Sequence, residues 1–119
     1  MKELVKTLAM INFDDIDFDA LFDARESGSF DSEWIRVYNA VEALKNEKTY
    51  SQAMKLDVSD IRETAFQEVY FRCEYSGLAE YISDDFGLIA DAALLGYTDE
   101  WLEKLISCYK ENRIPCGEL

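Results

Sequence analysis

The chain has 119 residues, of which 49% are hydrophobic and 13% aromatic, so residues 1–119 can form a single packed domain, and this composition argues against general disorder. There are 12 basic and 25 acidic residues, which gives a formal net charge of −13. This charge argues against binding a nucleic-acid backbone or an anionic membrane through a basic patch, and it favours a positively charged partner.

The first quarter of the chain contains two predicted short helices. Apolar residues recur at helical spacing from Met1 to Ile11, which predicts a short amphipathic helix. An Asp-rich stretch follows, and a second helix then places Phe18, Leu21 and Phe22 on one side. The segment 27–29 contains a glycine between two serines and is expected to form a loop.

A third helix is predicted from about residue 33 to residue 46. Asp31 or Ser32 can serve as its N-cap, and apolar residues from Trp34 to Leu44 recur at helical spacing and form its core-facing stripe. The stretch 51–56 that follows fits one isolated helical turn.

The next helix, which Ser59 or Asp60 can cap, is ambiguous in its C-terminal part. Residues 69–73 have strong β propensity and alternate between apolar and mixed side chains. The apolar residues of 65–70 keep the helical period and no proline interrupts them, so helix is favoured over strand for residues 66–75.

The central element of the fold is predicted to be a helix over roughly residues 84–95. Ser83 or Asp84 can cap its N-terminus, and Gly96 supplies the left-handed residue that ends it. Almost every side chain between these signals is apolar or small. A helix that is apolar over most of its circumference is expected to be surrounded by other helices.

The last helix is predicted to begin after Thr98, which can act as its cap. Trp101 and Leu105 fall on its buried face and are expected to pack against Ile89 and Leu94 of the central helix. Taken together, the segments predict an all-α fold, a single-domain bundle of about five to six helices around a central apolar helix.

Acidic residues are concentrated in two segments that contain no Lys or Arg. The segment from Cys73 to Glu103 has eight acidic residues, and the segment from Asn12 to Ala24 has five aspartates. One interpretation is that these carboxylates cap helices and are otherwise solvated. The other is that both segments lie on one surface and produce a negative field that attracts a basic partner.

The second interpretation defines a candidate partner-binding surface. At 100° per residue, Asp84, Gly87 and Asp91 fall in one narrow wedge of the central helix, which is predicted to be exposed. The predicted partner-binding residues are Glu80, Tyr81, Asp84, Asp85 and Asp91, with Asp14, Asp15, Asp17 and Asp19 as a secondary acidic rim.

No metal site or cofactor is expected. The acidic residues between Asp15 and Glu26 match the spacing of an EF-hand calcium loop. However, Ala20 stands where that loop needs glycine for its sharp turn, and the serine–glycine segment 27–29 interrupts the exit helix. Capped helical structure is therefore the favoured interpretation of this stretch.

Enzymatic chemistry finds little support in the sequence. The chain has no histidine, which removes the commonest general base and metal ligand. Its five glycines are scattered, so no phosphate-binding loop is present. Glu80, Asp84 and Asp85 could be paired carboxylates for acid–base work, but a helix N-terminus rich in acids is the favoured interpretation. The chain is predicted not to be an enzyme.

The cysteines and the N-terminus indicate a cytoplasmic protein. Cys73, Cys108 and Cys116 are an odd number without framework spacing and are expected to stay reduced. No signal peptide is visible, and no apolar run approaches the roughly 18 residues needed to cross a bilayer. The sequence carries no signal for an oligomeric state.

The C-terminal third of the chain resembles a known group of proteins. The resemblance lies in the segment from Tyr81 to Ala92, followed by Gly96-Tyr97, Asp99, Trp101-Leu102 and Asn112-Arg113-Ile114-Pro115. These residues are similar to the C-terminal part of small bacterial immunity proteins of polymorphic toxin systems, including contact-dependent growth inhibition. The resemblance implies a small cytosolic protein that binds and neutralises one cognate toxin domain, often a nuclease.

Three classes of function are compatible with these observations. The first is an immunity protein that occludes the active or substrate-binding site of a basic toxin domain through an acidic surface. The second is a nucleic-acid mimic, such as an anti-restriction or anti-CRISPR inhibitor, whose carboxylates imitate phosphates. The third is an acidic adaptor subunit. The immunity protein is favoured, because toxins that act on nucleic acid need basic surfaces.

Overall fold

A computed structural model describes residues 2–119, and every regular element within that range is a helix. The helices are α1 (Lys2–Lys6), a short 3₁₀ helix (Thr7–Met10), α2 (Phe18–Glu26), α3 (Gly28–Glu47), α4 (Gln52–Cys73), α5 (Ser76–Leu95) and α6 (Glu100–Lys110). The predicted all-α bundle is therefore confirmed. Met1, where the first predicted helix begins, lies outside the described residues.

The central helix of the bundle is α5. Of its 20 residues, 13 are buried, as expected for a helix that is apolar around most of its circumference. One hydrophobic core contains side chains from every helix of the described range. α4 packs along α5 in the most extensive helix pair, and the two are joined only by Glu74 and Tyr75, which makes them an antiparallel hairpin.

The start of α5 differs from the prediction. The helix begins at Ser76, after Tyr75, which provides no side-chain cap. Ser83 lies in its interior, where its hydroxyl donates a hydrogen bond of 2.9 Å to the carbonyl oxygen of Arg62. The predicted cap at Ser83 or Asp84 was wrong. The side-chain types that cap helix N-termini also make buried hydrogen bonds inside helices, so the residue types alone do not distinguish the two positions.

α4 is one continuous helix rather than a separate turn and a later helix. Ser51 is its N-cap and accepts a hydrogen bond from the backbone N–H of Met54 at 3.2 Å. The predicted break before Ser59 and Asp60 was therefore wrong. The preference for helix over strand is confirmed through Cys73, after which the chain turns.

α3 also begins earlier than predicted. It starts at Gly28, where φ is +65°, so the segment 27–29 is a sharp helix–helix junction and not a loop. Asp31 lies inside the first turns of α3 and not at its N-cap. This junction brings the C-terminus of α2 next to the N-terminal turns of α3.

α6 buries its apolar face in the same core as α5. Trp101, Leu105 and Ile89 belong to the same buried core, whereas Leu94 is 41% exposed and lies outside it. Asp99 caps α6 by accepting a hydrogen bond of 3.0 Å from a backbone N–H in its first turn, so the predicted cap at Thr98 was wrong. Gly96 ends α5 with φ of +71°, as predicted.

Candidate partner-binding site

The predicted partner-binding residues of α5 separate into an inward and an outward group. Asp85 is fully buried and Asp91 is 9% exposed. Glu80 is exposed, and Tyr81 and Asp84 are partly exposed. The expectation that Asp91 faces solvent was wrong, and Asp85 does not reach the surface either.

Asp85 is the centre of a buried hydrogen-bond network that joins α2, α3, α5 and α6. Arg25 of α2 donates two bonds to its carboxylate, at 2.7 and 2.9 Å. The indole N–H of Trp34 donates to Oδ1 at 2.9 Å, and the hydroxyl of Tyr109 donates to Oδ2 at 2.5 Å. These bonds use both carboxylate oxygens and so offset the desolvation of Asp85, whereas Nε of Arg25 is buried without a hydrogen-bond partner among residues 2–119.

The network also fixes protonation states and the C-terminal tail. Burial alone would lower the pKa of Arg25, but the Asp85 carboxylate raises that pKa above its ordinary value. Burial, together with the charge of Asp85, raises the pKa of Tyr109 well above its ordinary value, so its hydroxyl remains a donor. Arg25 also donates to the carbonyl oxygen of Pro115 at 3.0 Å. The network therefore holds the fold together.

Asp91 is likewise paired within the chain. Lys45 of α3 places its Nζ atom 2.9 Å from Oδ2 of Asp91, and the hydroxyl of Tyr50 donates to Oδ1. Burial and the hydrogen bond to this carboxylate raise the pKa of Tyr50 to about 12. The tyrosine therefore stays protonated at neutral pH and remains a hydrogen-bond donor.

Two of the three residues of the predicted wedge, Gly87 and Asp91, are buried against neighbouring side chains, and Asp84 is only partly exposed. Arg62 of α4 lies across Gly87, where an added Cβ would come within 2.7 Å of the arginine Cδ atom. From there the guanidinium reaches Asp84 at 2.6 Å. The cations that the second acidic segment lacks are thus supplied by neighbouring helices.

Another group of carboxylates lies on the outer side of α2, α3 and α5. Most of its members line a shallow depression of about 150 Å³, and Glu80 lies one helical turn from Asp84. We refer to this group as the acidic–aromatic face, which consists of Glu26, Asp31, Trp34, Glu80, Tyr81 and Asp84.

Aromatic rings connect the carboxylates of the acidic–aromatic face. The hydroxyl of Tyr81 donates to the carboxylate of Glu26. Burial, as the larger cause, and this hydrogen bond together raise the pKa of Tyr81 to about 12. The ring of Trp34 stacks on Tyr38 with centroids 5.6 Å apart, and Tyr38 is 43% exposed. The face therefore combines negative charge with aromatic contact area.

The predicted secondary rim lies before and within the first turn of α2. Its four members, Asp14, Asp15, Asp17 and Asp19, are all exposed. Asp17 is also the N-cap of α2 and accepts a hydrogen bond of 3.1 Å from the backbone N–H of Ala20. The amide of Asn12 donates to Asp15 at 3.2 Å, which orders the loop before the helix.

α2 brings the two acidic segments of the sequence into contact. Phe18, at its start, stacks on Tyr75 with centroids 4.9 Å apart. One turn later, Phe22 contacts Tyr75 and Tyr81, with centroid distances of 5.3 and 5.4 Å. Glu26, at the end of the helix, belongs to the acidic–aromatic face. The first acidic segment therefore lies against the N-terminal turns of α5.

Three members of the acidic–aromatic face were missed by sequence reasoning. The sequence assigns Glu26 to the calcium-loop spacing, Asp31 to a helix cap and Trp34 to a core-facing stripe. They meet only because the junction at Gly28 turns α3 back against α2. The available signal was an acid and an aromatic residue three positions apart on one helix face, at Asp31 and Trp34.

The described residues form neither a metal-binding cluster nor a membrane-spanning helix. Within residues 2–119, no group of three His, Cys, Asp or Glu side chains is arranged to hold a metal ion. Over the same range, no helix combines the length and the apolar character needed to span a bilayer.

The chain matches a known protein family. A family model described as Immunity protein PIM1 matches residues 2–116, which include all six α-helices and the whole acidic–aromatic face. No curated protein matches the chain. The resemblance to immunity proteins noted in the C-terminal third is confirmed and extends over nearly the whole sequence. The chain belongs to the PIM1 family of immunity proteins.

Proposed function

We propose that this chain is a cytoplasmic immunity protein that neutralises a basic toxin domain by binding it and not by catalysis. In this proposal the acidic–aromatic face covers the active or substrate-binding site of the toxin, whose basic surface serves a nucleic-acid substrate. Membership of an immunity protein family supports the binding role. The net charge of −13 supports a basic partner.

The arrangement of carboxylates around aromatic rings is the observation that carries the proposal. Asp31 and Glu80 are exposed, whereas Glu26 accepts a hydrogen bond from Tyr81 and Asp84 is paired with Arg62. The outer carboxylates can therefore meet Lys or Arg side chains of a partner. The aromatic rings between them can exclude water from those contacts.

Charge and apolar contact contribute differently to such a complex. Protection of a cell leaves almost no free toxin, which requires a nanomolar dissociation constant, or about −12 kcal/mol. Exposed charges are screened beyond about 8 Å at physiological salt, so they supply little of this free energy. They can raise the association rate by about ten- to a thousandfold, while buried aromatic contacts slow dissociation.

A nucleic-acid mimic would need a different arrangement of carboxylates. Duplex phosphates are regularly spaced along two strands, so a mimic is expected to present two continuous rows of acids. The carboxylates of the acidic–aromatic face instead cluster around Trp34 and Tyr81. This clustering favours a protein partner that contributes both basic and apolar side chains.

The proposal is tested by co-expressing the chain with the C-terminal domain of the protein encoded immediately upstream of its gene, the position in which a cognate toxin is expected. The wild-type chain is expected to restore growth and to bind a catalytically inactive form of that domain with a dissociation constant of about 1 nM or below. Absence of binding by the purified wild-type chain would contradict the proposal.

A matched pair of double variants tests the location of the site. Asp31→Lys with Glu80→Lys changes the acidic–aromatic face, and Asp57→Lys with Asp60→Lys changes exposed residues of α4 outside it. Each pair raises the formal net charge by four, from −13 to −9. The first pair is expected to weaken protection and the second to retain it. If both double variants lose protection equally, the change in net charge and not the acidic–aromatic face would explain the loss.

A further inference from the structure

Two exposed apolar side chains lie on a separate part of the surface. Phe71 is 87% exposed and Met10 is 69% exposed, the largest exposures among the large apolar side chains of residues 2–119. Both line a depression of about 720 Å³ between the last turns of α4 and the segment that leads from the 3₁₀ helix to α2. We call this the Phe71–Met10 surface; its members are Met10, Asp14, Glu68 and Phe71.

The exposure of Phe71 is not required by the packing of α4. Ala65 and Val69 of the same helix are fully buried, and Phe66 packs against the core, so α4 already has an inward apolar face. A polar residue at position 71 would leave that face unchanged. An exposed aromatic ring beside a flexible methionine is instead typical of the anchors that proteins use at interfaces.

The charges around this apolar pair are negative on balance, with two carboxylates and one guanidinium lining the depression. The carboxylates of Asp14 and Glu68 line the same depression, and Asp15 follows directly in the chain. Arg72 also lines it, but its guanidinium donates to the carbonyl oxygen of Ala9 and so holds the 3₁₀ helix against α4. An apolar anchor with an acidic edge is complementary to an apolar socket with a basic edge.

We infer that the Phe71–Met10 surface is an anchor for the basic toxin domain, with the ring of Phe71 entering an apolar socket flanked by Lys or Arg side chains. This inference rests on the proposed function and adds the apolar contact that slows dissociation. A second copy of the chain is a less favourable occupant. Two chains of net charge −13 would bring Asp14 and Glu68 towards like charges.

The Phe71–Met10 surface and the acidic–aromatic face are joined through one helix. α2 connects them, because the loop that contains Asp14 leads into its first turn and Glu26 is its last residue. Its 9 residues span about 13 Å at 1.5 Å per residue. A standard interface buries about 800 Å² on each partner, a patch roughly 30 Å across. The helix that links the two surfaces is therefore shorter than such a patch is wide.

The test measures how fast a catalytically inactive form of the cognate toxin domain dissociates from the wild-type chain. The same measurement is made for the Phe71→Ala and Leu56→Ala variants. Leu56 is the matched control. It is 56% exposed and lies on α4 about 22 Å before Phe71, towards the N-terminus of the helix. Phe71→Ala is expected to raise the dissociation constant about 30-fold or more, mainly through faster dissociation. Leu56→Ala is expected to change it by less than about twofold.

The other outcomes separate the inference from the proposed function. If the wild type and Phe71→Ala dissociate at the same rate, the inference is overturned and the proposed function stands. If the wild type does not bind the toxin domain, both are overturned. Sedimentation of the chain alone is the remaining check: a dimer that Phe71→Ala converts to a monomer would assign the surface to a second copy and overturn the inference.

Discussion

Asp84 and Asp85 are neighbours in the sequence but lie in different environments. The side chain of Asp85 is fully buried and receives hydrogen bonds from Arg25, Trp34 and Tyr109. The side chain of Asp84 is 45% exposed and pairs with Arg62, which is itself half exposed. One residue along a helix is a rotation of 100°, enough to separate a carboxylate that holds four helices together from one at the surface. Acid density in a sequence is therefore a poor measure of surface charge.

The largest expected effect follows from removing the charge of Asp85. Asp85→Asn leaves Arg25 charged and unpaired in the core, which is expected to lower the free energy of unfolding by about 3–5 kcal/mol. Asp84→Asn breaks only a partly exposed pair and is expected to cost about 0–1 kcal/mol. Urea unfolding of both variants measures the difference. Equal losses for the two variants would remove the distinction between the two sides of α5.

A second contrast concerns two leucines on opposite sides of the core boundary. Leu105 is fully buried, so Leu105→Ala is expected to lower the free energy of unfolding by about 2–5 kcal/mol. Leu94 is 41% exposed, and Leu94→Ala is expected to cost well under that, about 0.5 kcal/mol. Thermal and urea unfolding measure both. A cost below half a kilocalorie for Leu105→Ala would show that the packing of α6 on α5 is described wrongly.

A smaller effect tests the close approach of Arg62 to α5. Gly87→Ala places a Cβ within 2.7 Å of the arginine Cδ atom, so the side chain must leave its path to Asp84. Alanine in a helix interior is favoured over glycine by about 1 kcal/mol. In the wild-type background the displacement of Arg62 offsets this gain, so the free energy of unfolding is expected to change little. Gly87→Ala made in the Arg62→Ala variant is expected to raise the free energy of unfolding of that variant by up to about 1 kcal/mol.

The double-mutant cycle for Gly87 and Arg62 supplies its own control. If Gly87→Ala has the same effect with and without the arginine side chain, the two positions are not coupled. That result would mean that Arg62 does not lie across α5 in solution.

Most of the fold could be predicted from the sequence, because helical periodicity is local. The central position of α5, the αL residue at Gly96 and the helical state of residues 69–73 follow from composition and spacing. Helix starts were less predictable. Side chains that cap helices also make buried hydrogen bonds, as Ser83 does with the carbonyl oxygen of Arg62.

The candidate site was predictable only in part, because ion pairs depend on distant residues. Glu80, Tyr81 and Asp84 were predicted as partner-binding residues, and the structure places them together on the acidic–aromatic face. Asp85 is paired with a residue 60 positions away, and Asp91 with one on α3. No local pattern identifies such partners, so the sequence overstates how much negative charge faces outwards.

In the proposed function, the exposed carboxylates of the acidic–aromatic face, and not the total charge, attract the toxin domain. The association rate constant of the toxin domain is measured with the wild-type chain and with both double-lysine variants, from low to physiological salt. The wild-type rate is expected to fall steeply with salt, and Asp31→Lys with Glu80→Lys to remove about tenfold or more at low salt. Asp57→Lys with Asp60→Lys should retain most of the acceleration. A salt-independent wild-type rate, or equal slowing by both pairs, would contradict the claim.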